Sequence, residues 1–115
     1  MDDLLRHLPL KPVDAMLLLV LAGGERHGYG LVKEVEARSG GSIRLEPGNL
    51  YRYVARLVEE GLVRKAARRR TPEAADDRRR YYAITDRGRR VLAAEADRLR
   101  TLVREAERAL GGATP

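Results

Sequence analysis

Cysteine, phenylalanine and tryptophan are all absent from this 115-residue chain. Without cysteine there is no disulfide framework and no thiolate metal site. Without Phe or Trp the core has to be aliphatic, and five tyrosines are the only aromatic residues. Long hydrophobic runs are missing too. The longest, Ala15 to Ala22, falls far short of the ~20 residues that a membrane-spanning helix needs. The amino terminus, "MDDLLRHLPLKP", starts acidic and lacks the apolar stretch of a secretory signal. Catalytic signatures are also lacking: there is no His–carboxylate spacing and no phosphate-cradling Gly loop. Asp76 and Asp77 fall in a polar tip rather than in a pocket that could tune a carboxylate. His7 and His27 are the only imidazoles, so a metal site lacks partners. These absences point away from an enzyme and from a membrane protein. The expectation is a cytoplasmic, nucleoid-associated protein with no cofactor and no metal.

Charge, by contrast, is abundant. Charged residues make up 35% of the chain and the formal net charge is +6. A basic balance suits a polyanionic partner, nucleic acid before an anionic membrane surface. The charge is also concentrated. Between Arg64 and Arg80 there are eight basic residues and three acids, a local balance of +5.

Punctuation by Pro and Gly divides the chain. "KPVDAMLLLVLAGG" reads as a helix opened near Pro12 and stopped by Gly23 and Gly24. It is apolar nearly all round, so it is either buried on most sides or shared between the core and a second subunit. Leu4, Leu5 and Leu8 suggest a short helix before it. "HGYGLVKEVEARSGG" is a second helix, with Tyr29, Val32 and Val35 lining its inner side and His27 as a cap or turn residue. "SIRLE" alternates as a very short strand would. "PGNLYRYVARLVEEG" is a third helix. Leu50, Val54, Leu57 and Val58 form its apolar face, and Asn49, Arg52 and Arg56 cluster opposite, with Tyr51 and Tyr53 at the boundaries. "LVRKAA" and "RRYYAI" are β-type runs joined by the basic tip "RRRTPEAADDR". One of Tyr81 and Tyr82 must face inward; alternation alone does not say which. From Thr85, a good N-cap, a last helix runs to about Leu110, about 35 Å at 1.5 Å per residue. Leu92, Ala96, Leu99, Val103, Ala106 and Leu110 recur at alternating spacings of four and three along it, a coiled-coil seam expected to pack across subunits.

This order predicts a mostly α fold with a small β-hairpin. It is a winged helix-turn-helix over residues 1–84 with a dimerisation helix and tail over 85–115. The third helix would lie in the major groove. Arg donates bidentately to guanine and Asn pairs with adenine in the same manner, so Asn49, Arg52 and Arg56 are candidates for reading base edges. Tyr51 and Tyr53 carry hydroxyls suited to phosphate oxygens, although Tyr51 could equally pack. The tip residues Arg68, Arg69, Arg70, Arg78, Arg79 and Arg80 would grip phosphates or enter a minor groove.

The motifs "HGYGL", "PGNLYRYVARLVEEGLV" and "RRRYYAITDRG" resemble those of the PadR family of bacterial transcriptional regulators. The resemblance covers about Val13 to Leu92, with three linked motifs in order. It implies a winged-helix homodimer on a palindromic operator, acting as a repressor. By the same resemblance, Tyr51 corresponds to a third-helix Tyr that faces the DNA backbone, and Tyr81 and Tyr82 to the family's paired Tyr. Asn49 stands where Thr is usual, and Glu46 replaces the usual Ser or Thr cap. The single C-terminal helix resembles the short subfamily. Some short members hold flat aromatic drugs between Trp side chains, and this chain has no Trp. No such stacking pocket is expected, and a small-molecule effector stays unidentified. The partners implied are double-stranded DNA and a second copy of the chain. The alternative function is a winged-helix interaction module that binds a protein or structured RNA.

Overall fold

A computed structural model describes residues 3–66 and 81–111. The chain forms a 3-10 turn (Asp3–His7), then α1 (Pro12–Ala22), β1 (Arg26–His27), α2 (Gly28–Arg38), α3 (Pro47–Glu59), β2 (Val63–Ala66), β3 (Tyr81–Ile84) and α4 (Asp86–Ala109). The three strands make one antiparallel sheet in the order β1-β3-β2. Val63 pairs with Ile84 and Ala66 with Tyr81, while His27 of β1 also faces Tyr81. This is a winged helix-turn-helix: three helices, a hairpin beside the third, and a long last helix.

The helix α1 is central, packing against α2, α3, β3 and α4. That explains why its sequence is apolar on nearly every side. Leu17, Leu18, Val20 and Leu21 are buried, and only Leu19 among its large apolar residues is exposed. Leu31 and Val35 from α2, Leu50, Val54 and Leu57 from α3, Leu62, Val63, Tyr82 and Ile84 from the hairpin, and Val91 from α4 complete an aliphatic core. Tyr82 is thus the inward member of the tyrosine pair, and Tyr81 is half-buried.

Two expectations are corrected. "SIRLE" forms no strand. Ile43 instead folds back so that its amide donates to Ser39 Oγ (3.0 Å), and Leu45 is buried, which keeps the segment in a turn that leads into α3. The third strand comes from Arg26–His27, too short for any periodicity to reveal. Tyr29, expected inside, is 62% exposed, because Leu31 and Val35 fill the inner side of α2.

The end of α3 and the start of α4 are stitched together. Gly61 takes a left-handed conformation (φ 80°), and the Leu62 amide reaches back to the Leu57 carbonyl (2.9 Å), a Gly-terminated helix end. Thr85 Oγ1 donates to the Gly61 carbonyl (2.7 Å) and accepts from the Gly88 amide (2.9 Å), so one side chain both caps α4 and holds the α3 turn. Gly88 is buried against the Leu62 carbonyl so closely that a Cβ there would overlap the backbone.

A second tie joins the N-terminal segment to α4. Buried Glu95 accepts from the Leu10 amide (3.3 Å) and forms a forked pair with Arg98 (2.9 and 2.7 Å). Arg87 Nη2 contacts Asp3 Oδ2 (3.3 Å) and His7 Nε2 (3.1 Å). On the other side of the ring, His7 Nδ1 lies 3.5 Å from Glu60 Oε1.

The seam on α4 is unevenly exposed. Leu92 packs partly on the protomer's own core and Ala96 is half-buried. Gly88, Val91 and Glu95 are the buried positions of this helix. From Leu99 to Leu110 every residue is exposed.

Two outcomes follow from these contacts. Helix propensity alone favours alanine over glycine by about 1 kcal/mol, but the Gly88→Ala methyl meets backbone that cannot rotate away. The net effect is a loss of roughly 1–3 kcal/mol, read from the urea midpoint. For Glu95, the Arg98 hydrogen bonds hold the carboxyl below its ordinary value of 4.5; burial opposes this and the Leu10 amide adds to it. The folded state therefore binds that proton less tightly than the unfolded chain. The stabilisation is present above about pH 4.5 and is lost as pH falls through the folded value. Glu95→Gln should be less stable than the parent at neutral pH, and the gap between their urea midpoints should close on acidification.

Candidate nucleic-acid interface

Pro47 opens α3 and Glu46 stands at its N-cap without a side-chain capping bond. The inner face is sealed by Leu50, Val54 and Leu57. Gly48, Asn49, Arg52 and Ala55 are exposed on the other side. A Cβ at Gly48 would meet nothing within 4 Å, so the helix entry is open to an approaching surface. Arg52 Nη2 donates to Asn49 Oδ1 at 2.8 Å, one turn apart. The two side chains therefore form a preset unit in the first turns of the helix. Asn49 keeps its amide donor and Arg52 keeps most of its guanidinium N–H groups for a partner.

Tyr51 is 43% exposed and lies across the start of α2. A Cβ at Gly28 would come within 2.9 Å of the Tyr51 hydroxyl, so the glycine of "HGY" is what lets this phenol rest there. Packing and exposure coexist in this residue: its hydroxyl end lies against Gly28 while part of the side chain stays accessible.

The neighbouring surface of α2 was not singled out from the sequence as a contact. His27 Nδ1 accepts from the Gly30 amide (3.0 Å) and caps the helix. Its ring stacks parallel to Tyr29 (centroids 6.3 Å apart) and meets Tyr81 edge-on (5.5 Å). The Lys33 ammonium lies 5.4 Å from the Tyr29 ring centre. Tyr29 and Lys33, four apart and both exposed, form an aromatic–cationic pair at the entry of α2. The i,i+4 spacing is the sequence signal for this pair, and it counts only because Tyr29 faces outward.

Arg56 is not free on the outer face. Its Nη2 contacts both carboxylate oxygens of Asp14 on α1, at 3.2 and 3.0 Å, and its guanidinium lies 5.7 Å from the Tyr53 ring centre. Asp14 is 7% exposed. Burial pushes its carboxyl above the ordinary value, while the Arg56 charge and hydrogen bonds draw it back. The helical wheel places Arg56 opposite the apolar face, but a long side chain reaches round the helix to the one buried carboxylate within range. Tyr53, half-buried and packed against the core, shares that contact. Arg68, Arg69, Arg70, Arg78, Arg79 and Arg80 lie outside the described residues. Arg64 and Lys65 at the base of the hairpin are described, and both are exposed on β2.

A sealed helix carrying an outward Asn–Arg unit, beside a strand pair with a basic base, belongs to the winged helix-turn-helix class. Residues 17–94 match the model of the PadR-like family of transcriptional regulators, and the chain belongs to that family. Its fold is similar to that of a PadR-like transcriptional regulator from Bacillus cereus (TM-score 0.71, 19% identity, covering 97% of this chain and 100% of that one). It is also similar to Bacillus subtilis PadR in complex with operator DNA (TM-score 0.60, 19% identity, covering 73% of this chain and 47% of that one). An uncharacterized 37.1 kDa protein in transposon TN4556 of Streptomyces fradiae is 38% identical over 81 residues, 70% of this chain. This chain covers 21% of that protein's length. Among the described residues no helix is long and apolar enough to cross a membrane.

Proposed function

We propose that this protein is a sequence-specific DNA-binding repressor that works as a homodimer on a palindromic operator. Residues 1–84 bind DNA and residues 85–115 form the dimerisation arm and tail. The observation that carries the reading is the outward Asn49–Arg52 unit at the entry of a helix whose other face is sealed. In the major groove the Arg52 fork suits guanine O6 and N7, and Asn49 suits adenine N6 and N7. Tyr51, Tyr29 and Lys33 suit the flanking phosphates, which fix register without reading sequence. The tip arginines supply further phosphate contacts by charge alone.

Dimerisation is supported by the lower half of α4. Leu99, Leu102, Val103 and Leu110 are 40–83% exposed. An apolar stripe of this kind on a projecting helix is costly in water and suits an identical stripe on a second copy. Leu102 joins the seam that the four-three spacing marked out.

Arg52→Ala should weaken binding to the preferred operator by about 1–3 kcal/mol and relax preference at one base pair, while Lys33→Ala should weaken all duplexes about equally and lower the salt slope by about 1. Selection of bound fragments from genomic DNA, followed by titration on the enriched site and a scrambled one, measures both. Equal losses for Arg52→Ala on the two duplexes would remove it from base reading. Binding to an acidic protein or a structured RNA with no duplex preference would favour the interaction-module reading. Leu99→Asp should sediment as a monomer and lose most operator affinity, since each half-site then binds alone. An unchanged dimer would place the subunit contact elsewhere.

A further inference from the structure

The reach of Arg56 from α3 to Asp14 on α1 has a functional consequence. We infer that Asp14 and Arg56 are positioning residues: their ion pair sets the pose of α3 on α1, and so sets where Asn49 and Arg52 arrive in the groove. The inference rests on the DNA-binding reading above.

Three features of the pair carry it. It joins the recognition helix to the central helix across 42 residues of sequence, with Nη2 between the two carboxylate oxygens at 3.0 and 3.2 Å. Asp14 is almost fully buried in the first turn of α1, so its reach is narrow and the position of Arg56 is closely set. The Arg56 guanidinium also lies on the Tyr53 ring, which fixes the side chain from a second direction. Arg56 lies one helical turn beyond Arg52, and Glu60 one turn further contacts His7 of the N-terminal turn at 3.5 Å. The polar side of α3 is therefore tied twice at its C-terminal end and left open at its N-terminal end, where Asn49 and Arg52 lie. Rotation of the helix about its own axis would carry those two away from the bases while leaving the apolar face partly packed. A buried carboxylate that meets one guanidinium opposes that rotation in a way that Leu–Leu contacts do not, because dispersion is tolerant of small rolls and a hydrogen-bonded ion pair is not.

The test compares Asp14→Asn, Arg56→Met and the double substitution Asp14→Leu/Arg56→Met, which replaces the ion pair by an apolar contact. Folding is checked by circular dichroism and DNA is titrated well below the lowest midpoint. Each single variant should bind the operator about tenfold more weakly and scrambled duplex within about twofold of the parent, since phosphate contacts tolerate a roll of the helix. The double variant should recover most of the operator affinity. In the absence of DNA, amide exchange over residues 52–59 should rise in the single variants and return toward the parent in the double one.

Weaker operator binding in Arg56→Met with unchanged or tighter binding in Asp14→Asn would mean that Arg56 itself touches DNA, and would overturn the inference. So would operator affinities unaffected in both folded single variants, or α3 exchange rates that do not move. A parent protein that does not distinguish operator from scrambled duplex would defeat the DNA-reading proposal instead. The exchange measurement would still decide whether the pair holds α3 in place.

Discussion

The Leu62 carbonyl lies where a side chain on residue 88 would have to be, and much of the molecule is arranged around that contact. Only glycine lets the first turn of α4 sit directly on the turn that ends α3. Thr85 completes the joint by holding both the Gly61 carbonyl and the Gly88 amide. The turn that ends the helix carrying Asn49 and Arg52 and the first turn of the helix carrying the exposed apolar stripe are thereby in direct contact. For a dimer built through α4, this joint has a geometric meaning. Two recognition helices can match half-sites about 34 Å apart only if the angle between reading helix and arm is set within each protomer.

Burial sets the character of the polar contacts that cross the fold. Asp14 and Glu95 are the two buried carboxylates among the described residues, and their proton affinities move in opposite directions. Glu95 has an Arg98 fork and a backbone amide to replace water, so its charged form is favoured. Asp14 has a single guanidinium nitrogen across both oxygens, and burial outweighs it. One carboxylate ties the N-terminal segment to the arm at a gain in stability. The other links α1 to α3 through Arg56 while burial disfavours its charged form.

Local chemistry alone made much of the architecture legible. Pro12 and Pro47 open helices and Gly61 ends one. Thr85 caps α4 as its residue type suggests, and the apolar periodicity of α3 selects Leu50, Val54 and Leu57 for the core. His27 was legible as a cap. The strand at Arg26–His27 was not, because two residues carry no period and their strand character exists only through pairing with Tyr81 and Tyr82. "SIRLE" has the alternation of a strand but finds no partner, and a strand without a ladder is not stable on its own. Tyr29 lies outside because Leu31 and Val35 take the inner side of this short helix, with Val32 half-buried beside them.

What the sequence by itself determined is therefore the helices and the two hairpin strands, their order, most of the aliphatic core and the outward placement of Asn49 and Arg52, since each depends on residues within a turn or two of one another. Only tertiary structure decided that Tyr82 turns inward, that Leu92 packs partly on the core of its own protomer, and that Arg56 pairs with Asp14. Those outcomes depend on which side chain lies within a few ångströms across the fold. A long flexible arginine takes the buried carboxylate it can reach, whatever face of the helical wheel it starts from.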